Sequence, residues 1–532
     1  MITALLTLLL LPIEIPALFG EPFSGIRERI PQLLPLSAIL ILAIAGFFSY
    51  RQIRAGLQSF FRFAPTPYSV CAILYPIGLF SEIANVFLVG RGGEILSGTL
   101  PVLAALLLTA VMDAARLSSE MRVFRILANA ADKTVLEPAE SHKQKLRHGD
   151  KIVKIVNDDV DQSLYKLHRA KRVTGFFRRC NDTSSAARPF GILLLVSAAL
   201  AFLVGFVCAV SSMQTQSVIS AVILTLLFSL PLPAVLLFYY PLCHANRLLN
   251  EKGCALVGEE SVMEYAKQKT VIFHDSDLYL AKKCTQTMVR EGEDFRRDMQ
   301  LASILFRKMN GAFNPLCKVN PSDPSVTFVR LGESGTEAVI DNHYHLLAGD
   351  AAFLTKSGVR IPKESTDRAA SRAENVSVTY IAINGVLKLT YEIEYEVSPK
   401  FEQTVMLLSE HATDCAIRTY DPAINDAFLQ ASRAEGVEYV RVIKPGKYEN
   451  DDATEISDCG ALALGDRFDA VRPLVAANVI GQIRSVGYHA LPILAIIGAT
   501  LSALISFRMT EMLPGIPLLL ALAFQGVGLV CG

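Results

Sequence analysis

The sequence predicts an α-helical transmembrane bundle of seven or eight spans, joined to a cytosolic α/β domain of Rossmann type with an α+β insert. Three observations carry this prediction. Hydrophobic residues make up 51% of the 532 residues and charged residues only 19%, where soluble chains average about 25% charged. Apolar runs of spanning length recur along the chain, each near the roughly 20 residues a membrane helix needs. The polar residues are gathered into two long segments, 117–188 and 243–488.

The balance of 51 Lys and Arg against 51 Asp and Glu excludes a generally basic nucleic-acid binder. Apolar content this high excludes disorder. Ten cysteines occur singly, with no CxxC pair, so no zinc ribbon or disulfide framework is encoded and a reducing compartment is expected.

The first apolar run, 2–19, contains Pro12, Glu14 and Pro16. It lacks a basic leader and a small-residue cleavage site, so it is counted as a span rather than a signal peptide. Residues 34–50, 68–90, 98–113, 189–210, 217–242, 489–507 and 513–530 supply the others. Arg51, Arg54 and Arg62 lie in the loop after the 34–50 run, and Lys166, Arg169, Lys171, Arg172, Arg178 and Arg179 precede the 189–210 run. The positive-inside rule places these loops in the cytoplasm, with both termini inside. This describes an integral protein of the plasma membrane.

In the second polar segment, Thr270-Val-Ile-Phe273 has the pattern of a short buried strand, and 377–382, 386–391 and 416–419 repeat it. They alternate with the helix-like stretches 400–410 and 425–435, the rhythm of a parallel sheet. Glycines at 332, 335, 349 and 358, with Asn342, mark short strands of an insert.

Local motifs resemble the heavy-metal class of P-type cation-transporting ATPases. Gly253-Cys-Ala-Leu-Val-Gly258-Glu-Glu260 followed by Thr270-Val-Ile-Phe273 is similar to that family's run from its metal-path helix into its phosphorylation loop, without a gap. Pro233 and Pro241 fall at its intramembrane prolines, Gly349-Asp-Ala-Ala-Phe-Leu354 resembles a strand-turn of its nucleotide domain, and 466–482 resembles the helix entering its last pair of spans. The resemblance implies spans at 1–116, 189–242 and 487–532, and a reduced actuator-like domain at 117–188. It also implies a haloacid-dehalogenase-like phosphorylation domain in two parts, 243–284 and 376–486, with a nucleotide-domain-like insert at 285–375.

The departures from the family carry the functional reading. His274 stands at the phosphoacceptor aspartate, and the loop reads His274-Asp-Ser-Asp-Leu278. Asn314-Pro315 replaces His-Pro, Thr419-Tyr420-Asp421 replaces T-G-D, and Leu232-Pro233-Ala234 replaces the metal-binding C-P-C. The small cytosolic segment contains no T-G-E; the G-D-G-x-x-N-D loop is missing between Lys447 and Asp451.

Phosphoryl transfer to protein needs a carboxylate nucleophile, Mg²⁺ and a lysine on the phosphate. His274 cannot form an acyl phosphate. Asp275-Ser-Asp277 keeps the D-x-D form of dehalogenase-type phosphatases, with Thr419 to hold phosphate, Lys444 or Lys447 to balance charge, and Asp466 and Asp469 to hold Mg²⁺. Asp275, however, lies one residue past the nucleophile's place, and a one-residue shift reverses the face of a strand. The degenerate nucleotide site comprises Asn314, Pro315, Gly335 and Gly349.

Metal donors are sparse. Cys71, Cys208 and Cys531 are singletons. Cys243-His244 and Glu82 are weak metal candidates, and His343 and His345 read as solvated. Three prolines, 231, 233 and 241, bend the 217–242 span.

Three readings follow. The first is a non-cycling pseudo-ATPase with a regulatory or scaffolding role. The second is a working cation-transporting ATPase with altered motifs, and the third a membrane-tethered phosphatase using Asp275. ATP and Mg²⁺ are cofactors only where activity is retained. The partners expected are the lipid bilayer and another membrane protein or transporter, with no nucleic acid.

Overall fold

A computed structural model describes residues 2–14, 29–62, 65–89, 93–138, 147–148, 151–152, 163–181, 184–211, 213–230, 232–266, 269–288, 294–309, 311–312, 325–332, 334–362, 376–422, 424–431, 436–444, 454–508 and 516–531. Asn314, Pro315, Lys447 and Pro231 lie outside these residues.

Among the described residues, five helices are long and apolar enough to cross a membrane. They are Pro67–Leu88, Thr99–Leu127, Phe190–Val210, Thr215–Glu251 and Arg467–Arg508. Leu33–Phe48 with Tyr50–Phe61 makes a sixth when taken together, and the two halves meet at 79°. Ile516–Gly528 is apolar but shorter. The apolar faces meet in one core that includes Leu42, Leu103, Leu106, Phe190, Leu224, Phe238 and Leu518.

The expected bend of the 217–242 run is a full break. Thr215–Ser229 ends, and Leu232–Glu251 begins with Pro233 in its first turn and Pro241 inside it. Residues 231 and 233 are prolines and have no N–H to return to the preceding turn, so the span Thr215–Glu251 is made of two helices in line.

The body outside the apolar helices is built on a mixed sheet in the order 440–443, 414–418, 269–274, 163–173, 133–138, 461–463, 254–256, with 454–457 also paired to 163–173. The strand Lys269–His274 is central. Asp414–Arg418 runs parallel to it on one side, and Ser163–Val173 runs parallel on the other. Lys133–Pro138 is antiparallel to Ser163–Val173 across six residue pairs and also holds Ala461–Ala463. The strands drawn from both polar segments of the sequence therefore form one hydrogen-bonded sheet. Its core is Val271, Phe273, Tyr165, Leu167, Leu136, Ile417 and Val440, packed on the helices Pro399–Glu410 and Gly258–Tyr265.

A second, six-stranded sheet is antiparallel throughout, in the order 279–288, 386–397, 376–383, 344–349, 335–340, 326–331. Here the sequence reading needs correction. Residues 377–382 and 386–391 belong to this insert sheet, not to the parallel one, and pair with each other as Val376–Ile383 and Val386–Val397. Asn384 and Gly385 explain why: both have positive φ, 49° and 80°. A two-residue turn of that kind matches the twist of antiparallel strands and folds the chain straight back. Helix Phe295–Met309 covers the sheet with Leu301, Leu305 and Phe306.

Candidate functional site

Parallel strands present their carboxyl ends at one edge, where α/β sheets bind ligands. His274, Arg418 and Ile443 stand there as neighbours in the strand ladder. Because Arg418 is level with His274, the next residues, Asp275 and Thr419, are also level. Thr419 Oγ1 donates to Asp275 Oδ2 at 2.6 Å and accepts from the Asp421 N–H at 3.0 Å. Asp275 and Thr419 are the two residues that a phosphatase-type site would bring together. The one-residue offset of Asp275 is thus matched by its partner strand.

His274 is held differently. Arg418 Nη2 lies 3.3 Å from its Nε2, and its backbone N–H donates to Asp277 Oδ2 at 3.0 Å. The imidazole is buried between the strand ends, which is the environment of a packed, capped side chain.

Asp275 is fully buried. A Cβ on Gly311 would sit 3.0 Å from Asp275 Oδ2, so the segment following helix Phe295–Met309 rests directly on the carboxylate. Its other oxygen, Oδ1, has no hydrogen-bond donor among the described residues and lies 3.7 Å from His274 Nδ1. Asp421 accepts from the Tyr395 hydroxyl at 2.8 Å. Burial, followed by the Asp421 charge, holds that phenol well above its ordinary pKa, so it remains a donor. Lys444 Nζ donates to the carbonyls of Asp421 and Pro422, both at 3.0 Å.

These residues do not fit Mg²⁺. A hard dication takes near-octahedral oxygen ligands with freedom to turn toward it. Asp277 is paired with Arg467 at 3.3 Å, Asp466 with Lys400 at 2.7 Å, and Asp469 with Arg472 at 3.0 Å. Asp466 also caps its own helix by accepting from the Arg467 N–H at 2.9 Å. The Arg467 Nη1 contacts both oxygens of Asp277, at 3.4 and 3.3 Å.

Gly335 and Gly349 face one another across paired strands. A side chain on either would run into the ring of Phe353. The room left by the two glycines is therefore filled by Phe353, which Arg330 also overlies at 6.0 Å.

In the membrane, the broken helix has an internal partner that the sequence reading missed. Gln525 Nε2 lies 2.9, 3.0 and 2.8 Å from the carbonyl oxygens of Leu227, Phe228 and Leu230. Its Oε1 is buried without a hydrogen-bond partner among the described residues. This amide places its two N–H donors among three carbonyls at the break, of which that of Leu230 also accepts from the Leu232 N–H at 3.0 Å. The signal was present, since a glutamine inside an apolar span is itself a marker of a buried polar role.

Glu82 is buried and accepts from the hydroxyls of Ser97 and Thr99, the latter at 3.0 Å. Asn85 holds Ile95 through both its N–H and C=O, at 2.9 and 2.8 Å. These contacts tie a non-helical stretch between two spans, so Glu82 has a local structural role. Cys243 and His244 are adjacent on a helix and do not converge; the His244 ring stacks on Tyr240. No group of three metal-type ligands exists among the described residues. His345 pairs across strands with Glu337 at 2.7 Å, and His343 lies in the exposed turn before that strand.

A second missed feature is the buried pair of Arg484 and Glu259, 2.6 Å apart, with Arg484 also donating to the Phe238 carbonyl at 2.5 Å. It links the long helix Arg472–Arg508 to helices Gly258–Tyr265 and Leu232–Glu251. Neither residue lies in an apolar run of the sequence, so no local pattern announced the pair.

No family model matches the sequence, and no curated protein matches it. Among solved structures, the chain is similar to a zinc-transporting PIB-type ATPase caught in two different states. The first gives 14% identity, 98% of this chain and 99% of that chain covered, and a TM-score of 0.43. The second gives 13% identity, 99% and 98% coverage, and a TM-score of 0.44. Similarity at this level assigns neither an activity nor a substrate to this chain.

Proposed function

We propose that this protein is a non-cycling membrane pseudo-ATPase, built on a P-type cation-transporting architecture and acting as a regulatory or scaffolding partner of another membrane protein, at the plasma membrane. The observation that carries the reading is the pairing of Ser163–Val173 with Lys269–His274. Alternating access proceeds by rocking one rigid body against another. The strands of 133–173 and the phosphorylation-type strand share one ladder, so neither can turn without breaking backbone hydrogen bonds. Each of those bonds contributes on the order of 1 kcal/mol net, with a larger cost where a group is left buried and unpaired.

Two further observations support it. The buried Asp275 is covered by the segment at Gly311, and a cation approaching the broken helix would have to displace the Gln525 amide from three carbonyls. The test is turnover and acid-stable or acyl-phosphate labelling by [γ-³²P]ATP on the purified full chain, across zinc, copper and other divalent cations. No metal-stimulated turnover and no labelling are expected. Vanadate-sensitive, metal-stimulated hydrolysis would overturn the reading.

One observation favours a second reading over phosphohistidine chemistry: Thr419 contacts Asp275 rather than His274. A tethered phosphatase would hydrolyse p-nitrophenyl phosphate and lose that activity in Asp275→Asn.

A further inference from the structure

We propose that helix Tyr50–Phe61 is a binding surface for the phosphate groups of anionic phospholipids in the cytoplasmic leaflet. The helix follows a membrane helix after a single residue and leaves it at 79°, so it crosses the end of the bundle instead of continuing through the bilayer.

It is fastened along one face. A Cβ at Gly56 would run into the Tyr68 carbonyl, which means the two helices touch backbone to backbone there. The Ser59 hydroxyl meets those of Ser69 at 2.8 Å and Thr66 at 3.1 Å, and Gln52 Nε2 donates to Asp113 Oδ2 at 2.9 Å. At 3.6 residues per turn, Gln52, Gly56 and Ser59 fall on one stripe, and the remaining residues divide into two flanks on either side of it.

One flank is apolar. Ile53, Leu57 and Phe60 follow one another along it, with Tyr50 and Phe61 at its crest; Phe61 is 75% exposed and Tyr50 59%. The opposite flank carries Arg51, Arg54 and Arg62, all exposed. Among the described residues, none of these three guanidinium groups has a hydrogen-bond or ion-pair partner. Arg116, Arg179 and Arg178, by contrast, are paired with Glu120, Glu264 and Asp458.

A rigid helix split lengthwise into an aromatic strip and a strip of unmatched arginines, at the foot of a span, lies in the plane of a membrane interface. The aromatic strip enters the acyl boundary, and the guanidinium groups stay level with the phosphates, which they bind as planar bidentate donors. An acidic protein would satisfy the arginines but leave the aromatic strip in water. The lipid surface covers both.

The experiment is native mass spectrometry of the purified full chain with equal amounts of phosphatidylglycerol and phosphatidylcholine. Wild type is expected to retain phosphatidylglycerol about tenfold more than phosphatidylcholine, and R51Q/R54Q/R62Q to retain both about equally. Each single Arg→Gln should lower the preference by about two- to fivefold, which preserves the test where the triple variant does not fold. Melting in phosphatidylcholine nanodiscs serves as the folding check, because all three side chains are exposed. Wild type without a preference, or the triple variant keeping it, would overturn the proposal. Loss of the preference in excess inorganic phosphate would overturn it too, by showing a site for a soluble anion instead of a headgroup.

Discussion

Thr419 Oγ1 donates to Asp275 Oδ2 at 2.6 Å from neighbouring parallel strands, although the two residues are far apart in sequence. The hydroxyl is the sole hydrogen-bond donor to that buried carboxylate among the described residues, so removing it leaves a desolvated acidic group uncompensated. Thr419→Val should cost about 1–3 kcal/mol, and Thr419→Ser much less. Thermal unfolding of the detergent-solubilised chain measures both; equal melting of the two variants would contradict the role given to the hydroxyl.

His274→Asp alone will not create ATP-driven transport. The new carboxylate would adjoin Asp275 and stand three residues before Asp277, and like charges a few ångströms apart repel by about 1–4 kcal/mol at effective dielectrics of 80 to 20. Arg418 would pair with it rather than leave it free for attack. Acyl-phosphate formation by this variant, seen as hydroxylamine-labile label, would refute the expectation.

Nucleotide binding should be weak or absent. Phe353 fills the space beside Gly335 and Gly349, and Asn314 stands where the resembled family has histidine. Losing such polar partners costs about 1–3 kcal/mol, or roughly ten- to a hundredfold in affinity. Calorimetry should show no micromolar binding of ATP.

Gln525→Leu should destabilise the bundle by about 2–3 kcal/mol, because the carbonyls of Leu227 and Phe228 at the helix break would lose their side-chain donor in an apolar surrounding. Gln525→Glu should not rescue it, since an ionised carboxylate offers acceptors to acceptors. Melting curves in detergent compare the three proteins.

Acid should loosen the mixed sheet through His168. This residue is buried on the strand Ser163–Val173, with its Nε2 3.6 Å from Glu137 Oε2. Burial lowers its pKa below the ordinary 6.5, and the Glu137 charge only partly opposes this. The unfolded chain therefore binds the proton first as pH falls below about 6.5, and stability is lost through that window. Wild type should melt lower at about pH 5.5 than at about pH 7.5, and His168→Phe should narrow the difference by about 2–4 °C. An unchanged difference would remove His168 as the cause.

Much of the architecture is legible in the residues themselves. The apolar runs locate the long helices, and Thr270-Val-Ile-Phe273 lies in the central strand as its pattern suggests. Asn384-Gly385 was legible as well, since that dipeptide between two strand patterns specifies a hairpin; the alternation around it resembles a βα rhythm only when the turn is overlooked. The partner of Ser163–Val173 was not legible. Its buried residues lie on both faces, with Tyr165 and Leu167 in one core and Ala170 in another, and nothing in a strand's own sequence names the distant strand it joins. At the site, Asp275, Thr419 and Lys444 were named from sequence. That Gly311 would cover Asp275, and that Arg467 would pair with Asp277, depends on loop packing that no local pattern encodes.

The mixed sheet also sets the order in which the protein is made. Strand Lys133–Pro138 emerges from the ribosome early, yet Thr134 pairs with Ala463, which is translated only after the insert and most of the spans. Until then the nascent strand offers an unpaired edge, of the kind that recruits other chains. Closing so long a loop is also slow. Newly synthesised protein should therefore depend on a holding chaperone until translation passes the 461–463 strand, and chains interrupted before that point should aggregate even when their membrane helices are inserted.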